Sequence, residues 1–108
     1  MKEKIVKRYI LKNGKIPFDE WFFSLDKSDK NKAEVRIKRA SMGLYGKYRN
    51  LSCGITELKF ENGIRIYFSE VENVVLLLLC GGNKTRQSDD IQKAQKYLED
   101  YKERNKEQ

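Results

Sequence analysis

An α+β domain is what this chain predicts: a strand, two helices, three strands and a terminal helix, with a mainly antiparallel sheet and the helices on one face. Three observations carry that expectation. Between Gly54 and Cys80, three short apolar runs follow one another, separated by turn residues. Phe18, Trp21, Phe22 and Leu25 stand at i, i+3, i+4 and i+7, which is helical spacing. Near the end, Ile91, Ala94, Leu98 and Tyr101 form a second such stripe. At 108 residues, the chain has length for one domain, residues 1–108, around one core.

Each element has a local reason. Lys4 to Leu11 is rich in Ile, Val and Tyr and alternates weakly, and Asn13-Gly14 ends it with turn chemistry. Pro17 suits the first position of a helix, because its missing N–H would have no partner there. Ser28 or Asp29 then caps a second helix whose apolar side carries Ala33, Ile37, Ala40 and Leu44. Gly43 to Cys53 reads as a loop. Glu61-Asn62-Gly63 and Glu72-Asn73 are the turns between the three strands. The run Val74–Cys80 is apolar throughout but far too short to span a bilayer, so it reads as a buried central strand. Asp89 with Gln92 three residues on resembles a capping box for the last helix, which opens at Ser88 or Asp89.

Composition narrows the function. The net charge is +7 and the pI is near 9.4, yet 39% hydrophobic residues suffice for a core. Residues 1–50 hold fourteen Lys/Arg against six Asp/Glu, so an anionic partner is expected on that half. Cys53 and Cys80 have no metal spacing and read as small buried hydrophobes in a reducing, cytoplasmic setting. Lys7, Arg8 and Lys12 interrupt any leader-like apolar run, and no membrane segment is expected. With no His, and with Asp89 and Asp90 better explained as helix-terminal acids, neither a metal nor a cofactor is expected.

Strand alternation sorts the central residues. Leu58, Phe60, Ile64, Ile66 and Phe68 fall on a core face, while Glu57, Lys59, Arg65 and Tyr67 fall on the other, expected to be open. Arg36 and Arg39, with Lys32, make a basic stripe on the second helix. Lys47 and Arg49 interleave with Tyr45 and Tyr48, a composition suited to RNA backbone contacts and base stacking as well as to a plain surface loop. The turn Gly81–Thr85 lacks Walker spacing, but its backbone N–H groups with Lys84 and Arg86 suit one phosphate.

These residues, in this order, resemble the RelE/HigB-type toxins of type II toxin–antitoxin pairs, and within them the branch described as addiction module killer proteins. The likeness runs from about Pro17 to Ala94. It rests on Trp21, Arg36-Ile37, Arg39, Gly54–Lys59, Arg65–Phe68, Leu78–Lys84, Gln87, Asp90-Ile91 and Ala94. Lys59 stands where the family usually has Arg, keeping the charge without the bidentate fork. Glu61–Arg65 replaces a Gly-Pro-Gly-Tyr-Arg turn and leaves the Arg in place.

The resemblance implies an mRNA endonuclease that works on the ribosome and is silenced by a small helix-turn-helix antitoxin of the HigA kind. The expected roles are then Arg65 on the transition-state phosphate, Lys59 and Lys84 as further charge, and Glu57 as base, with a lysine as its competitor. Tyr67 would stack on a base or protonate the leaving group, and Arg36, Arg39, Lys47, Arg49, Arg86 and Gln87 would hold RNA. A gyrase inhibitor on the same fold and a non-catalytic nucleic-acid-binding module are the alternatives.

Overall fold

The computed structural model describes residues 3–106, so residues 1, 2, 107 and 108 of the expected domain lie outside the described residues. The chain forms β1 (Ile5–Arg8), α1 (Pro17–Phe23), α2 (Lys27–Ser41), β2 (Tyr48–Asn50), β3 (Thr56–Lys59), β4 (Ile64–Val71) and β5 (Val75–Asn83). A 3₁₀ turn (Lys84–Arg86) and α3 (Gln87–Lys106) follow. One five-stranded sheet runs in the order β1-β5-β4-β3-β2. Its β1–β5 pair is parallel and the others are antiparallel. This is an α+β fold with a mixed sheet.

Local chemistry sets the boundaries. Pro17 opens α1 as expected, whereas α2 is capped by Asp26, whose side chain accepts from Asp29 N–H at 2.8 Å. The capping box at Asp89 is not formed. Asn83 caps the preceding 3₁₀ turn instead, accepting from the N–H groups of Thr85 and Arg86. Tight hairpins join β3 to β4, with Gly63 at φ 96°, and β4 to β5, with Glu72 and Asn73 at φ 54° and 59°. Within the expected loop, Tyr48–Asn50 pairs with β3 as a short edge strand.

Helices cover both faces of the sheet, which corrects the one-face expectation. Leu58, Ile66, Phe68, Leu76 and Leu78 pack with Phe18 of α1 and Ala33 and Ala40 of α2. Tyr67, Leu77, Leu79 and Cys80 pack on the opposite side with Ala94 and Leu98 of α3, together with Tyr9 and Ile55. The physical reason lies in β5. A strand apolar at every position must be buried on both faces, so α3, with its own apolar stripe, closes the second one.

A register shift in the β4–β5 ladder between Tyr67 and Phe68 leaves Leu79 unpaired, since Tyr67 faces Cys80 while Phe68 faces Leu78. The extra residue decides which way the following glycines point. A Cβ on Gly81 would lie 2.2 Å from the Trp21 ring, and one on Gly82 would lie 1.8 Å from Asp90 Oδ2. Gly81→Ala therefore has to displace a rigid indole. It is expected to lower the unfolding free energy by about 1–3 kcal/mol with an unchanged denaturant slope, measured by urea titration.

Candidate nucleic-acid interface

The face beneath α3 carries two rows of polar side chains, set by the ladder register. In the first row, Arg49 stands opposite Glu57, and Glu57 opposite Tyr67. In the second, Lys59 stands opposite Arg65, and Arg65 opposite Gly82. Lys47 accepts the Lys59 N–H on its carbonyl at 2.9 Å, which places it at the outer end of the second row. Successive same-face rows are two residues, about 7 Å, apart along the strands.

The first row is sealed. Glu57 and Tyr67 are both 0% exposed. Glu57 Oε2 accepts from the Tyr67 hydroxyl at 2.9 Å and from Gln87 Nε2 at 2.6 Å, and its Oε1 lies 3.2 Å from Arg49 Nε. Burial first, and then the Glu57 hydrogen bond and charge, push the Tyr67 hydroxyl far above the ordinary phenol range. A phenol so held keeps its proton and donates a hydrogen bond to Glu57. The expected open face is thus corrected at this row: both side chains lie out of reach of a docked molecule, and they orient Gln87 and Arg49.

The second row is accessible. Lys59 and Arg65 are half-buried, and Lys84 and Arg86 are exposed. The Arg65 Nη1 donates to the carbonyls of Ile64 at 3.0 Å and Phe60 at 3.3 Å, while its Nε is buried without a partner. The Nε is thereby closed to a docked molecule, and Nη2 is the guanidinium nitrogen left neither hydrogen-bonded nor fully buried. The Lys84 stem packs over Gly63, 3.4 Å from where a Cβ would sit, and Lys84 N–H donates to the Gly63 carbonyl at 2.8 Å. Lys84 therefore stands beside the hairpin that anchors Arg65. Among the described residues, Lys47, Lys59, Arg65, Lys84 and Arg86 form no ion pair. Placing two cations directly across a ladder destabilises it, and no carboxylate offsets that here.

Two expected RNA-binding residues lie elsewhere. Arg36 donates to the carbonyls of Lys59, Tyr45 and Lys47 at 2.8–2.9 Å, and its guanidinium sits 4.5 Å from the centre of the Phe60 ring. Burial, then Arg39, lowers its pKa from the ordinary value. It ties α2 to the β2–β3 edge. Arg39 is exposed on α2, on the side of the sheet away from Arg65.

Two residues of the site were not among the expected site residues. Asn83 shapes the turn that carries Lys84 and Arg86; its signal was an Asn just before a helical start. Asp90 is buried over Gly82 and ends the second row there. Its pKa is raised by burial, against the pull of Lys93, Arg86 and the Asn83 N–H. Cys80 and Cys53 are free, and burial, helped by Asp90, pushes the Cys80 thiol up to about 12. No group of three or more His, Cys, Asp or Glu among the described residues could hold a metal ion. No helix among them is long and apolar enough to cross a membrane.

No family model matches the chain. It is similar to an uncharacterized protein of Haemophilus influenzae, 37% identical over 82 residues that make up 73% of this chain and 83% of that one. At that identity and coverage, the chain belongs to the same family as the Haemophilus influenzae protein.

Proposed function

We propose that the protein is the toxin of a type II toxin–antitoxin pair, an endoribonuclease that cuts mRNA on the ribosome without a metal and is neutralised by a small helix-turn-helix antitoxin. The observation that carries this reading is the half-buried Arg65 guanidinium, fixed at Nη1 by two carbonyls, with Lys59 opposite it and Lys84 beside its hairpin. The RelE/HigB-type resemblance supplies the setting, and the working place is the cytoplasm.

Cleavage by this surface rests on charge. The ribose 2′-oxygen attacks the adjacent phosphorus, its proton passing to water, and the 5′-oxygen leaves. The products are a 2′,3′-cyclic phosphate and a 5′-hydroxyl end. Arg65 meets the extra negative charge on the phosphoryl oxygens with its fixed positive charge and its Nη2 N–H groups. Lys59 and Lys84 add charge, and either ammonium is a proton source for the departing oxygen.

The test is induced expression in a bacterium followed by mapping of transcript 5′ ends, paired with purified protein in a translating extract. New 5′-hydroxyl ends within coding sequence, suppressed by co-expression of a cognate antitoxin, are expected. Intact transcripts accompanied by DNA breaks would overturn the reading in favour of gyrase poisoning.

A further inference from the structure

The sheet ends at β1, and the outer side of that strand is open in the middle and closed at both ends. Ile5 and Tyr9 donate their N–H groups to the Val74 and Leu78 carbonyls. By strand alternation, the N–H and C=O groups of Val6 and Arg8 therefore point away from the sheet, and no backbone group among the described residues pairs with them. Lys4 N–H is taken by the Ser41 carbonyl, and the Ile10 carbonyl accepts from Arg104 Nη2, which brackets the open stretch. The two flanks of this edge differ in charge. On the α1–α2 side, a groove of about 570 Å³ is lined by Val6, Phe18, Phe22, Phe23 and Ile37. Its cations Lys4, Arg8 and Lys38 are already matched by Glu70, Asp19 and Glu3. On the α3 side, a groove of about 660 Å³ is lined by Lys7, Val75, Tyr101, Lys102 and Lys106, with Glu72 its one acid. None of these three lysines forms an ion pair among the described residues. A strand added to β1 sends alternate side chains to the two flanks, so the sequence that fits alternates apolar with acidic residues. A second copy of this chain does not fit, since its own edge, with Lys4, Lys7 and Arg8, sets cations against cations and each copy carries a net charge of +7.

We infer that β1 is a docking edge for an extended segment of another protein in which apolar and acidic side chains alternate. The segment pairs with the outward groups of Val6 and Arg8, its apolar side chains enter the groove beside Phe22 and Phe23, and its carboxylates meet Lys7, Lys102 and Lys106. This edge is separate from the cationic row: β1 pairs with Val75 to Leu78, whereas Arg65 faces Gly82 near the other end of β5. The inference therefore stands whether or not the protein cuts RNA.

The probe is a dye-labelled peptide of about eight residues alternating Val and Glu, read by fluorescence anisotropy beside a control with Lys for every Glu. Saturable binding of the Val–Glu peptide, and not of the control, is expected. Val6→Pro removes an outward N–H that plays no part in the β1–β5 ladder, so the fold keeps its pairing. It is expected to weaken binding about tenfold. Lys7→Glu is expected to weaken the Val–Glu peptide to a similar degree and to gain binding of the Val–Lys control. Amide hydrogen exchange gives a reading that does not depend on variants: the Val6 and Arg8 amides exchange fast in the free protein and slow down when the peptide is added. No saturable binding, equal binding of the control by the wild-type protein, undiminished binding by folded Val6→Pro, or Val6 and Arg8 amides that stay fast would each overturn the docking edge. So would a dimer in sedimentation that Val6→Pro dissolves, because the edge would then belong to a second copy.

Discussion

Arg65→Ala is expected to slow mRNA cleavage by about 10³–10⁵ while changing stability by no more than about 1 kcal/mol. The two effects differ because the side chain does different things in the two measurements. To the fold it contributes Nη1 hydrogen bonds to the Ile64 and Phe60 carbonyls, on a partly solvated hairpin end. Removing them also relieves the like-charge contact with Lys59 across the ladder, so the net stability change is small. To a pentacoordinate phosphate it contributes a guanidinium charge held in place by those two carbonyls. That interaction strengthens as charge develops, so its loss falls on the rate. Arg65→Lys separates charge from geometry. A point charge on a flexible stem restores little, and a rate within tenfold of the alanine variant is expected. Undiminished cutting by folded Arg65→Ala, assayed by 5′-end mapping in a translating extract, would remove Arg65 from the mechanism.

Much of this arrangement is legible in the sequence, and the parts that are not share one cause. Period-2 alternation separates Leu58, Ile66 and Phe68 from Glu57, Arg65 and Tyr67 correctly, because strand geometry is local. The turns at Gly63 and Asn73 are equally local. What alternation does not tell is what lies above a face. Glu57 and Lys59 are two residues apart on one side of one strand, yet the first is sealed and the second is half-open, because α3 begins at Gln87 and covers only the first row. The apolar length of β5 carried the hint that both faces need cover. Arg36 shows the same limit from the other direction. Its spacing with Arg39 marks a helix face, but only the packed β2–β3 edge supplies the three carbonyls that engage it. Tyr48–Asn50 escapes notice as a strand because three exposed residues carry no periodicity.

Glu57→Gln is the variant that separates the two roles a carboxylate at this place could have. As a general base it would touch the 2′-hydroxyl, and its loss would lower the rate by about 10²–10⁴. As a buried acceptor it holds Tyr67, Gln87 and Arg49, and its loss acts on the fold. The 0% exposure of Glu57 decides for the second. The amide oxygen of Gln still accepts from Tyr67 or Gln87, and the half-exposed Arg49 swings into water, so about 1–2 kcal/mol is the expected stability loss. Glu57→Ala strands the buried donors and opens a cavity together, and about 3–5 kcal/mol is expected. Cleavage by folded Glu57→Gln should fall less than tenfold, because Arg65 is anchored by carbonyls that do not depend on Glu57. Urea unfolding and cleavage measured on the same preparation give both numbers. A hundredfold slower variant of undiminished stability would return Glu57 to the reacting centre, and would mean that α3 swings off the first row when RNA binds.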